Sequence, residues 1–192
     1  MRQEETRNTL INATIQVFAR DGIDKATTKN LAAEAGLNEV YIYRTFEDKE
    51  DLYVKTFEKL DNELVSELLE HLPVMSMKGV SFEDRCWIFF SFVWRFLLFN
   101  RKKAVAFIRY YYSPYFKKYS SDSHFKRYRA VLEQFSVVFK PEANTWLILT
   151  HILNTMLDFA IKVIDGEAPD SDDTAEHVFR LVYASTKQYF KD

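Results

Sequence analysis

The sequence predicts an all-α fold of about nine helices, three short ones first and longer ones after. Three observations lead there. The 192 residues include only four Gly and four Pro, where average composition would supply roughly 12% of the two together. Sheet folds need turns rich in these residues, so sandwiches, barrels and Rossmann folds are nearly excluded. Hydrophobic residues make up 47% and aromatic ones 16%, enough to fill a core and to argue against disorder. Along most of the chain, apolar positions recur at helical spacing.

Taken in order, Leu10, Ile11, Ile15, Phe18 and Ala19 mark a first helix over 4–21, stopped at Asp21-Gly22. Thr27 caps a second over 28–35, with Leu31, Ala32 and Ala35 apolar, and Gly36 stops it. Asn38 caps a third over 39–46. Asp48 caps a fourth reaching about His71, with Glu50 and Asp51 favourable in its first turn. Pro73 and Gly79 lie in the first long break. Further helices are expected over 82–99, 101–116, 123–139, 141–165 and 172–190, separated at Asn100, at Ser120-Ser121-Asp122, at Pro141 and over Gly166–Ser171. No repeat of 20–50 residues stands out, so a solenoid is not expected.

Net charge is −2, but unevenly spread: residues 100–129 hold nine basic residues against one acidic, while 141–192 are net −5. Charge alone would place an anion-binding surface in the middle of the chain. The lone Cys86 cannot form an internal disulfide, which suits a reducing cytosol. The N-terminus lacks the apolar run of a signal peptide. The most apolar stretch, Cys86–Phe99, is interrupted by Arg95 and is shorter than the ~18 residues a membrane span needs. A cytoplasmic protein without a membrane partner is therefore expected. An enzyme is not: none of His71, His124, His151 or His177 has a Glu three residues before it, as helical di-metal sites require. No Gly-rich phosphate loop appears either. No cofactor or metal is assigned.

The second and third helices, joined by Gly36-Leu37-Asn38, have the spacing of a helix-turn-helix. Leu31, Ala32, Leu37, Ile42 and Phe46 would lock the pair together. Many helical proteins contain such a corner, so spacing alone does not assign a function. The run from Thr27 to Tyr53, TTKNLAAEAGLNEVYIYRTFEDKEDLY, resembles the N-terminal domain of TetR-family transcriptional regulators. The matching residues are Thr27, Leu31, Ala32, Ala35, Gly36, Leu37, Ile42, Tyr43, Phe46, Lys49, Glu50 and Leu52, and the resemblance covers residues 7–57. It implies an N-terminal three-helix helix-turn-helix domain (1–47) plus a C-terminal helical bundle (48–192) for ligand binding and dimerisation.

The resemblance also implies roles. The third helix would lie in the major groove of double-stranded DNA, with Lys29, Glu39, Val40, Tyr41 and Tyr43 near bases or sugars. Thr27, Thr28, Thr45 and Lys49 would hold phosphates. Each has a plainer reading beside this one. Thr27, Asn38 and Asp48 are helix caps first, though Asn38 is counted with the DNA-facing set. Glu39 suits the helix dipole or could accept from cytosine. Arg44 could be a solvated residue, a phosphate contact or an ion pair. Val40 stands where family members often carry a small residue or Pro, and bulky Tyr41 where they often carry a small hydroxyl residue, so no operator sequence carries over.

Helices 141–165 and 172–190 carry more apolar positions than one buried face can use, which predicts a homodimer. Two recognition helices would then sit about 34 Å apart on a near-palindromic operator. An unidentified small-molecule effector would bind among Trp87, Phe90, Trp94, Phe107, Tyr110, Tyr111, Tyr128 and Phe135. Asn154, Thr155, Asp158, His151 and Arg109 are the polar candidates beside them. Aromatics with Asp158 would suit a cationic effector and Arg109 an anionic one; the sequence leaves this open. The expected function is a ligand-released repressor. The alternative is a helical small-molecule or lipid-binding module that does not bind DNA.

Overall fold

The computed structural model describes residues 3–191. Among these it contains nine α-helices and no strand: α1 (Gln3–Asp21), α2 (Thr28–Glu34), α3 (Val40–Thr45), α4 (Lys49–His71), α5 (Phe82–Phe99), α6 (Arg101–Tyr111), α7 (Ser121–Ser136), α8 (Thr145–Ile164) and α9 (Asp172–Thr186). They form two compact units, Met1–Glu63 with Lys102–Lys126, and Leu64–Arg101 with Arg127–Asp192. The chain passes from the first to the second within α4, returns at the start of α6, and crosses again within α7.

In the first unit, α1 packs against α2 and α3 through buried Leu10, Ile11, Ile15 and Phe18. The Thr27 side chain caps α2 by accepting from the Asn30 N–H at 3.2 Å. Gly36, at φ +64°, ends it: the Gly36 and Leu37 N–H groups return to the Ala33 and Ala32 carbonyls. This Schellman arrangement needs a left-handed residue, which Gly adopts without strain. Asn38 Oδ1 then accepts from the Val40 N–H at 3.0 Å and opens α3. Asp48 Oδ1 does the same for α4 through the Asp51 N–H at 2.7 Å. All three expected caps are thus present. The interior of this unit is aromatic: Phe57 stacks on Tyr110 at 4.6 Å, and Phe18 meets Tyr53 edge-on at 5.0 Å.

The second unit is built on α5, α8 and α9, with the end of α4 and most of α7. Phe90 packs against Trp94 and Phe179, and Phe139 stacks on Phe190 at 5.0 Å. Ser81 caps α5 through the Asp84 N–H, and α5 spans the predicted 82–99.

Several predicted boundaries are corrected. The helix expected over 101–116 ends at Tyr111, because Pro114 lacks an N–H and its ring would clash with the preceding turn. The break expected at Ser120-Ser121-Asp122 is absent; a π turn over Phe116–Ser120 runs directly into α7. Ser120 is buried there, its hydroxyl 2.9 Å from the Tyr110 hydroxyl, so its polarity serves the core. Helix α7 stops at Ser136 rather than 139. Helix α8 starts at Thr145, capped by Asn144, rather than at Pro141. Helix α9 ends at Thr186, followed by a short 3₁₀ turn.

Candidate nucleic-acid interface

Helix α3 has a locked face and an open one. Ile42 and Phe46 are buried against the domain, whereas Val40, Tyr41 and Tyr43 are exposed, Tyr43 most of all at 60%. The expected outward Tyr43 between inward Ile42 and Phe46 is therefore the observed geometry. Arg44 lies over the Tyr41 ring at 5.9 Å, which stiffens both side chains on the open face.

Around α3, Thr28 donates to Glu39 Oε2 at 2.6 Å, so these two candidates bind each other and tie the start of α2 to the start of α3. Lys29 is exposed and forms no ion pair among the described residues, and the side chain of Thr45 is half-buried at the end of α3. Thr27 and Asn38 are exposed and serve as caps. Lys49, in the first turn of α4, rests over the Tyr53 ring at 5.4 Å and pairs with Glu50 at 3.7 Å. Tyr53 is anchored in turn: its hydroxyl donates to the Ala26 carbonyl, and burial pushes its phenol well above its ordinary range. Arg7 of α1, absent from the predicted set, stacks over Phe46 at 4.9 Å. Nothing in the residues on either side of Arg7 marks it, and only the fold brings it to Phe46. The open side of this domain thus presents aromatic rings, hydroxyls and a few cations, the mixture that reads grooves and phosphates.

The residues expected to line an effector pocket are split between the two units. Phe107, Tyr110 and Tyr111 lie in the first unit's core, next to Phe57 and Phe116. Arg109 caps the end of α1, donating to the Phe18 and Ala19 carbonyls at 2.9 and 3.1 Å. Phe90 and Phe135 line a cavity of about 60 Å³ in the second unit, together with Leu68, Cys86, Phe89, Leu149, Met156 and Phe179. Among the described residues no charged side chain lines it. Burial pushes the Cys86 thiol up to about 12, which keeps it neutral. Cys86 and Phe89 sit on α5 within one turn of Phe90, the helical spacing by which they could have been found. Trp87 and Trp94 instead line an open groove with Arg95, Phe99 and Asp172. Tyr128 is buried. The polar residues of α8 are not buried as expected: Asp158 is exposed, Asn154 and Thr155 are half-exposed, and His151 bonds Ser185 at 2.9 Å on the surface.

Residues 10–56 match the family model for bacterial regulatory proteins, tetR family. Among solved structures, the chain is similar to a TetR family transcription regulator from Marinobacter aquaeolei VT8, with a TM-score of 0.72 and 18% identity, over 96% of this chain and 98% of that one. The fatty acid degradation regulator FadR from Bacillus halodurans gives a TM-score of 0.70 and 20% identity, over 95% and 96%. FadR from Bacillus subtilis, solved in complex with stearoyl-CoA, gives 0.67 and 17%, over 91% and 96%. Against curated proteins, no sequence match is found.

Proposed function

We propose that the chain, whose residues 10–56 match the model of the bacterial regulatory proteins of the tetR family and whose fold is that of TetR-family regulators, is a ligand-responsive transcriptional repressor of that family. It binds a near-palindromic operator as a homodimer. The observation that carries this is the two-faced α3, with Ile42 and Phe46 locked inward and Val40, Tyr41 and Tyr43 held open to solvent. Tyrosines so exposed gain nothing for the fold, but can present hydroxyls and ring edges to a groove. The functional division falls near residue 47, with 1–47 reading DNA and 48–192 binding effector and partner.

The partner reading rests on α8 and α9. Leu147 and Leu181 are 62% and 57% exposed on these helices. Only a third of the most apolar window of α8 is buried within the chain. Apolar surface of this kind is covered by a second copy in a two-fold dimer.

The effector reading rests on the cavity. Its apolar lining favours an uncharged molecule or the hydrocarbon part of one, over the cationic and anionic alternatives that Asp158 and Arg109 suggested. A neighbour of the same fold holding an acyl-CoA supports this direction. Small-molecule pockets measure roughly 300–1,000 Å³, so an effector must expand the present 60 Å³. Leu68 lines the cavity near the end of the helix that begins with Lys49. Expansion at Leu68 would tilt α4 and shift the DNA-contacting helices, and release follows to the extent that the effector prefers the expanded state.

The test is selection of bound duplexes from a random DNA pool, followed by measurement of stoichiometry. Two-fold symmetric sites bound by two chains are expected. A protein that enriches no DNA yet takes up apolar ligands is a binding module instead, and the proposal fails.

A further inference from the structure

We propose that the segment following α6 extends the DNA-binding surface, with Lys117 and Lys118 holding backbone phosphates beside Lys49. This rests on the DNA-binding reading above. Four contacts within one compact unit carry it. Lys49 lies over Tyr53 at 5.4 Å, Tyr53 meets Tyr115 edge-on at 5.3 Å, Tyr115 stacks with Tyr119 at 6.5 Å, and Lys118 lies over Tyr119 at 4.6 Å. An unbroken row of rings therefore joins the start of α4 to the π turn Phe116–Ser120, a cation at each end.

The charges suit a polyanion. Lys117 and Lys118 are exposed and enter no ion pair among the described residues, and the surrounding stretch 100–129 is the strongly basic part of an otherwise acidic chain. The acidic groups nearby are mostly engaged. Asp48 and Asp51 accept from the N–H groups of Asp51 and Glu47 at the start of α4. Glu50 pairs with Lys49 and also acts on Lys118. The Tyr119 hydroxyl, and after it Glu50, hold the Lys118 ammonium above its ordinary value, so it stays charged. Duplex DNA fits better than a small anion, because the cations lie along a row of rings and are not gathered round a pocket. A row of this kind follows a backbone, and it reads no sequence.

The experiment is fluorescence anisotropy of the full chain on duplexes it has itself selected, and on one random duplex, across a salt series. Each neutralised phosphate contact contributes about 0.9 to the slope of log K against log salt. Lys117→Gln with Lys118→Gln should lower that slope by about one to two, and weaken binding roughly three- to tenfold on both duplexes at moderate salt. Lys117→Arg with Lys118→Arg should restore both values. An unchanged thermal midpoint in all variants shows the fold intact. Wild-type binding with a slope unmoved by the Gln pair overturns this inference and leaves the DNA reading standing. Loss on the selected duplex alone also overturns it, since phosphate contacts are indifferent to sequence. A wild-type chain that binds none of the duplexes overturns both.

Discussion

His124 Nδ1 lies 2.9 Å from Asp61 Oδ1, and both side chains are almost wholly buried, joining α4 to the start of α7. Phe57, Tyr111 and Phe116 surround the imidazole at 5.3–6.0 Å. Asp61→Ala should therefore lower stability by about 3–5 kcal/mol in denaturant unfolding, because it leaves a polar ring buried opposite a void. Lys103→Ala, which removes the half-exposed Lys103–Glu63 pair at 2.8 Å, should cost within about 1 kcal/mol. Equal losses from the two would show that burial does not set the difference.

Gly36→Ala should destabilise by about 1–2 kcal/mol. An added Cβ meets no atom within 4 Å, so only the φ of +64° is strained. The loss should appear in unfolding experiments without a change in the helical circular dichroism of the native state.

Stability should decline on the alkaline side. Burial raises Cys86 from 9.0 to about 12 and Tyr110 from 10.0 to about 12. Above pH 9 the unfolded chain gives up these protons while the folded chain keeps them, so each rise in pH favours unfolding. The decline should run from about pH 9 toward pH 12 and be shallower in Cys86→Ala. The folded protein's thiol should also resist alkylation at pH 8, while the unfolded chain reacts readily.

Leu147→Glu with Leu181→Glu should halve the mass measured by light scattering, since both side chains are exposed within one chain and would face the second copy. Loss of bivalence should weaken operator binding about a hundredfold. A dimer that survives both charges would place the interface elsewhere.

Where the sequence spoke clearly, local chemistry was sufficient. Ser81 and Asn100 bound α5 because a cap and a stop need only their own helix. Gly36 and Asn38 define the turn before α3 for the same reason. Ser120 misled because a hydroxyl run looks like a loop, and only the fold brings the Tyr110 hydroxyl to satisfy it. The effector residues were split because aromatic spacing marks a buried face without saying which core it enters. Phe107 and Phe90 carry the same signal and belong to different units. The row from Lys49 to Lys118 joins positions far apart in the chain, so the basic stretch could be counted but not placed.

The most direct test of the central claim is the affinity of Tyr43→Ala for a duplex selected by the wild-type chain, with a random duplex in parallel. Tyr43 is exposed and supports no core contact, so the variant should melt with the wild type. The account predicts a loss of about 1–3 kcal/mol on the selected duplex, ten- to a hundredfold in affinity, and little change on the random one. Equal affinity of wild type and variant for the selected duplex would contradict it, because α3 would then not be the element that reads the sequence.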